Sequence, residues 1–324
     1  MHRSASATTG PRLVARARYF ILERYEVLRQ KPGQVAVRAI GDRFLSLSEH
    51  ARTEAEKHWE CAWLSVAAYG RTKPMRNRQA ACECPISSVA DTELHAAAWT
   101  RWKGFPDDEL LSAIDSSHLR VEVWEKVKGD SVRIAVAFGG TVFTSLPDWR
   151  SNLRWLLPKP DDEYTEIVKR LAPAFADELC RRIKDGRIPD AANVRVISTG
   201  HSLGGGLAQQ FAYSLQEPPN LPRVTEVYAF DPSPVTGYYS VPAAQREHNS
   251  LGLAIDRIYE RGEILALLRS LTSVFVRPSA ENPSVRGARY MLFASVNPIA
   301  EHSMVKLAKG LQALANPVVP IDKQ

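Results

Sequence analysis

The rhythm of apolar and polar positions changes near residue 119. Before it, Leu13, Ala17, Phe20, Ile21 and Leu28 recur near helical spacing and predict a helix over 12–30, with arginines on its other faces. Lys31-Pro32-Gly33 ends that helix. Residues 34–70 read as mostly helical, closing on Trp63-Leu64-Ser65-Val66-Ala67-Ala68-Tyr69-Gly70. Residues 71–92, with Pro74 and Pro85, read as loop, and 93–118 as a further helical stretch carrying Trp99 and Trp102. Residues 1–11 are small and polar and read as disordered.

From 119 the pattern becomes strand–helix alternation. Strands are expected over Val121–Val127, Arg133–Phe138, Val194–Ser198, Thr225–Phe230, Ala254–Tyr259, Ser273–Val276 and Ala288–Ala294. Lys128-Gly129-Asp130 reads as a hairpin turn between the first two. Helices are expected over Glu163–Lys184, Gly204–Leu215 and Met304–Ala315. Such alternation predicts an α/β fold with a mostly parallel central sheet covered by helices on both faces. The expected division is an N-terminal helical cap over 1–118 and a catalytic core over 119–324.

One junction carries chemistry. The apolar strand Val194-Arg195-Val196-Ile197 runs into Gly200-His201-Ser202-Leu203-Gly204 and then a helix start rich in small residues. This is the Gly-x-Ser-x-Gly elbow, which exposes a serine hydroxyl above the carboxyl end of a sheet. The helix that follows aims its N-terminal amides at developing negative charge.

A serine hydroxyl needs a base to take its proton, and the base needs a carboxylate to orient it. In this arrangement the chain order is serine, acid, histidine. Only His248 and His302 follow Ser202. His302 lies between the last expected strand and the last helix and is the expected base; His248 precedes the strand expected to carry the acid. Glu263 and Asp231 both end strands. Glu263 holds the later position and is the expected acid, with Asp231 as the alternative. The oxyanion hole needs two donors. The Leu203 amide is one, and Phe138-Gly139-Gly140-Thr141 after an apolar strand supplies the other, with the Thr141 hydroxyl at hand.

Composition narrows the class without deciding it. The chain has 324 residues, 44% of them hydrophobic and 24% charged, which suits a water-soluble globular protein able to bury a large core. No apolar run reaches membrane-spanning length, and the N-terminus lacks a secretory apolar region. The default location is therefore cytoplasmic, with export by a signal-independent route left open. Of the net charge of +6, most sits in residues 1–33, where Arg3, Arg12, Arg16, Arg18, Arg24, Arg29 and Lys31 face only Glu23 and Glu26. The remainder is close to neutral, which argues against a nucleic-acid partner. The basic helix suits either docking on the main domain or peripheral contact with an anionic membrane surface. Cys61, Cys82, Cys84 and Cys180 match neither redox nor zinc spacing, so no metal and no cofactor is expected.

Four segments together resemble the class 3 lipases: Ala137-Phe138-Gly139-Gly140-Thr141, Asp148-Trp149 with Asn152-Leu153, Thr199-Gly200-His201-Ser202-Leu203-Gly204-Gly205, and the late His302. The resemblance covers roughly residues 119–310. It implies an α/β-hydrolase fold, Ser202 as nucleophile, Thr141 and Leu203 as oxyanion donors, an acid near Glu263, and His302 as base. The chain has Gly139 where that family commonly has arginine, and Asp231 where it usually has glycine; Asp231-Pro232 resembles instead the acid site of pancreatic-type lipases. The implied activity is hydrolysis of a lipid carboxylic ester through an acyl-enzyme, as a lipase or phospholipase. A soluble esterase or thioesterase, or a non-catalytic binding module on the same fold, stands as the alternative. Val142-Phe143 and Trp155-Leu156-Leu157 suit either a lid that binds acyl chains or core packing. A phospholipase exported without a signal peptide would damage membranes only from outside the cytoplasm.

Overall fold

The computed structural model describes residues 29–31, 33–38, 46–70, 85–114, 119–140, 163–188, 191–215, 221–233, 236–262, 282–293 and 302–316. Its strands are β1 (Val35–Arg38), β2 (Ser46–Ser48), β3 (Thr100–Arg101), β4 (Val121–Lys128), β5 (Ser131–Phe138), β6 (Val194–His201), β7 (Val224–Phe230), β8 (Ala254–Glu260) and β9 (Ser284–Tyr290). These nine, among the described residues, form one sheet in the order β2-β1-β9-β8-β7-β6-β5-β4-β3. Strands β5 to β9 are parallel. On one side β4 joins β5 through the expected hairpin, and β3 extends it, both antiparallel. On the other side β1 pairs antiparallel with β9, and β2 with β1.

The period-two alternation along β5 shows why two helix layers form. Val132, Ile134, Val136 and Phe138 enter one apolar cluster. Ala135 and Ala137 point to the other. The large side chains meet Phe175 and Leu179 of the helix Ala172–Lys184, and Leu207 and Phe211 of the helix Leu203–Ser214. Phe175 and Phe211 pack edge-on with centroids 5.5 Å apart. Burying each such ring contributes about 2–3 kcal/mol. The alanine face admits the helix Ala51–Ala67, itself lined by Ala55 and Ala62, beside the helix Met304–Ala315. A mostly parallel sheet with helices on both faces is the α/β-hydrolase topology, and this chain has that fold.

The expected helix over 163–184 forms, with one widened π-helical turn at Ile167–Leu171. Pro173 follows that turn. Its ring would crowd the carbonyl four residues back, and the wider turn relieves the crowding. The helix Met304–Ala315 matches its expected bounds. Strand β9 runs over 284–290, earlier than the expected 288–294.

Three expectations are corrected, one of them the loop over 71–92, whose residues from Pro85 onward are helical. Residues 34–70 are not mostly helical from their start: β1 and β2 precede the helix Ala51–Ala67. A four-residue strand gains its stability from β9, a partner remote in sequence. Nor is 93–118 one helix. A helix over Pro85–Ala96 ends at a turn with Ala98 at φ 63°, β3 follows, and a shorter helix covers Asp108–Ile114. The tryptophans explain the break. Trp99 is buried in one cluster and Trp102 in the other. Residues three apart on a helix share a face and could not reach both. Trp102 then stacks on Phe175 at 5.8 Å, with the Arg182 guanidinium 3.9 Å above its ring.

Described residues before 118 thus supply three strands to the same sheet. The expected helix over 12–30 lies outside the described residues except for its last two positions, as do 1–11 and the expected strand 273–276. Among the described residues no helix is long and apolar enough to cross a membrane.

Candidate active site

Strand β6 ends at His201, and the helix Leu203–Ser214 begins two residues later. Ser202 makes the turn alone, at φ 57° and ψ −121°. A residue with a side chain holds such a conformation only when its surroundings over-determine it. Here they do. The Ser202 N–H donates to the Phe230 carbonyl at 2.9 Å, and the Ser202 carbonyl accepts from the N–H groups of Gly205 (3.1 Å) and Ser233 (2.9 Å).

The flanking glycines are required by close approach of backbone. A Cβ on Gly200 would sit 2.2 Å from the Gly204 carbonyl oxygen, and one on Gly204 would sit 2.3 Å from that of Phe138. The strand, the helix and β5 therefore meet without room for a methyl group. Leu203 opens the helix, so its N–H has no acceptor within the helix and lies at the positive end of the helix dipole. The loop after β5 comes to the same place: a Cβ on Gly140 would lie 3.4 Å from Ser202 Cβ.

Asp231 follows β7 at φ 38° and is fully buried. Its N–H donates to Ile258 O at 2.8 Å, and its Oδ1 accepts the Glu260 N–H at 3.1 Å. His302 sits in the turn before the last helix and is buried. The structure brings a ligand atom of Asp231, one of His302 and one of His201 within 4.8 Å of one another. The rings of His201 and His302 are 4.5 Å apart at their centroids. His248, by contrast, is exposed on the helix Ala243–Ser250.

His201 and Tyr69 were not singled out as site residues by sequence reasoning. Tyr69 Oη lies 2.7 Å from His201 Nδ1. Burial pushes the Tyr69 phenol well above its ordinary pKa, so it stays neutral. His201 carried a signal in its place beside Ser202; Tyr69, at the end of a distant helix, carried none. Glu260 is a further buried carboxylate, accepting the N–H groups of Leu292 (3.0 Å) and Phe293 (3.3 Å) where the chain leaves β9 toward His302. Thr141 and Glu263 lie outside the described residues, as do Cys82, Cys84 and the aromatic stretches after Thr141.

The family model described as "Phospholipase-like: Tle-like phospholipase domain" matches residues 60–219. That span includes the Ser202 elbow and Gly139-Gly140 and stops before Asp231 and His302. Lipase II from Rhizopus niveus is a similar solved structure, at 16% identity over 74% of this chain and 79% of that one, with a TM-score of 0.35. No curated protein matches the chain. The family-model match supports a distant relation to phospholipase-like proteins over that span, and it does not extend to the class 3 lipases in particular. The fold itself rests on strand order and register.

Proposed function

We propose that the chain is a serine carboxylic-ester hydrolase acting on lipids, with phospholipids as the favoured substrate class. One observation carries the reading: buried Asp231 and His302, with ligand atoms within 4.8 Å of each other, are gathered at the end of the sheet where Ser202 is held in its strained turn. In this reading Ser202 Oγ attacks the ester carbonyl and His302 accepts its proton. Asp231, in place of Glu263, orients and stabilises the imidazolium. The Leu203 N–H and a donor from the Gly139-Gly140-Thr141 segment hold the oxyanion. The imidazolium then protonates the departing alcohol. Water, losing its proton to His302, hydrolyses the acyl-serine and frees the acid. The Gly-x-Ser-x-Gly elbow supports the ester chemistry. The matching family's description supports the phospholipid.

The test compares wild type and Ser202→Ala on p-nitrophenyl esters of short and long acyl chains and on phospholipid vesicles. Fatty-acid release from vesicles by wild type, abolished in the variant, is expected. A preference for short soluble esters with no vesicle hydrolysis points to an esterase. A folded wild type inactive on all of them rejects the reading.

A further inference from the structure

The three side chains gathered at the candidate site are a metal-binding donor set as well as a catalytic one. We infer that His201, Asp231 and His302 form a site for one zinc-class divalent cation, whose binding switches off the hydrolysis proposed above. The inhibitory half rests on that reading; the binding half does not.

The donors come from three separate elements: the end of β6, the residue after β7 and the turn before the last helix. All are buried, and their ligand atoms lie within 4.8 Å of one another. Zinc takes imidazole nitrogen and carboxylate oxygen at about 2.0–2.2 Å in a tetrahedron. Ligand atoms then stand roughly 3.4 Å apart, so side-chain shifts of about 1 Å complete the site. Two imidazoles and one carboxylate favour zinc and its neighbours over calcium and magnesium, which prefer all-oxygen sets. One coordination position is left for water.

The outer partners fit too. A metal-bound histidine uses one ring nitrogen on the metal and donates from the other to an oxygen. Tyr69 Oη stands 2.7 Å from His201 Nδ1; in the tautomer with Nδ1 as donor of that bond, Nε2 is the nitrogen that would take the metal. The Glu260 N–H donates to Asp231 Oδ1 at 3.1 Å and holds the carboxylate in place. Once His302 gives its lone pair to the metal, it has none for the Ser202 proton. His201, which has no role in the proposed hydrolysis, thereby gains one in its control.

The experiment titrates the full chain with CoCl2, reading visible d–d absorption, and then displaces cobalt with ZnCl2. Wild type, Ser202→Ala and His201→Gln are used, and ester hydrolysis is followed with ZnCl2 and with EDTA. Wild type and Ser202→Ala are expected to bind one cobalt per chain. His201→Gln is expected to bind at least about tenfold more weakly and to need correspondingly more zinc for half-inhibition of its own rate. EDTA restores the wild-type rate. Should His201→Gln fail to fold, Tyr69→Phe serves, with binding weakened about tenfold by loss of the proton acceptor. Hydrolysis by wild type without cobalt binding at about 100 µM, well above the affinities of zinc-type sites, overturns the site. So does equal zinc inhibition of wild type and His201→Gln. Cobalt binding that depends on His201, in a wild type that hydrolyses no ester, supports the site and overturns the hydrolase.

Discussion

The Ser233 N–H donates to the Ser202 carbonyl at 2.9 Å. That bond ties the loop after β7 to the elbow after β6. Asp231, two residues before Ser233, is thereby held in register with the serine, and it is fully buried with a carboxylate oxygen within 4.8 Å of a ring nitrogen of His302, which arrives from the far end of the chain.

Substitution separates the two acid candidates. Asp231→Asn keeps the shape of the side chain but loses the negative charge that the proposed mechanism uses to stabilise the imidazolium. It is expected to lower kcat by about 10⁴-fold, as for the buried aspartate of other serine hydrolases. Glu263→Gln is expected to change kcat by less than about tenfold, since the charge partner is retained. Steady-state kinetics on one soluble ester decides between them. The reverse ranking returns the acid role to Glu263.

The elbow tolerates no added methyl. Gly204→Ala would set a Cβ 2.3 Å from the Phe138 carbonyl oxygen, a backbone atom with little freedom to retreat. A loss of about 1–3 kcal/mol in stability is expected, with loss of hydrolysis because the Leu203 amide moves with the helix. Urea unfolding measures the first effect and turnover the second. A variant as stable as wild type would show that β5 and the helix can part.

A separate polar network braces the sheet away from the candidate site. Asp256 accepts from His58 Nε2 at 3.0 Å and from Arg286 Nε at 2.9 Å, while Arg286 Nη1 also meets Glu54 at 2.7 Å. Burial alone would raise the Asp256 carboxyl, but the hydrogen bonds and charges of His58 and Arg286 outweigh it and hold it far below the ordinary carboxylate range. A depressed carboxylate stabilises the fold fully above its unfolded pKa, near 3.9, and less as pH falls from there toward the folded value. Asp256→Asn is therefore expected to cost about 3 kcal/mol at neutral pH. The gap from wild type should stay constant down to about pH 5 and narrow below about pH 4. Urea titrations across that range check it; a gap that widens on acidification contradicts the assignment.

Cys61 is buried in the helix under the sheet, and burial pushes its thiol up to about 12. Only the thiolate reacts with alkylating agents. Native protein treated with iodoacetamide at pH 8 is expected to leave Cys61 unmodified by mass spectrometry, and protein unfolded in urea to alkylate it fully. Native labelling at the unfolded rate would place Cys61 at the surface.

What the chain dictates by itself is local. Gly200, Ser202 and Gly204 specify the elbow because strand, turn and helix there are consecutive, and the clash each glycine avoids lies within a few residues or on the neighbouring strand. The alternation of Val132, Ile134 and Val136 with Ala135 and Ala137 announces a strand covered on both faces for the same reason. Tertiary structure decided what depends on partners far away. Strand β1 is stabilised by β9, and the Trp99–Trp102 stretch leaves the helix because its two indoles belong to opposite layers. Asp231, at the end of β7, and His302, from the far end of the chain, come to have ligand atoms within 4.8 Å of each other. Tyr69 joins His201 at the site only because the helix Ala51–Ala67 ends there. Propensity and spacing act over one or two turns of chain; which side chains converge is set by how the sheet is ordered.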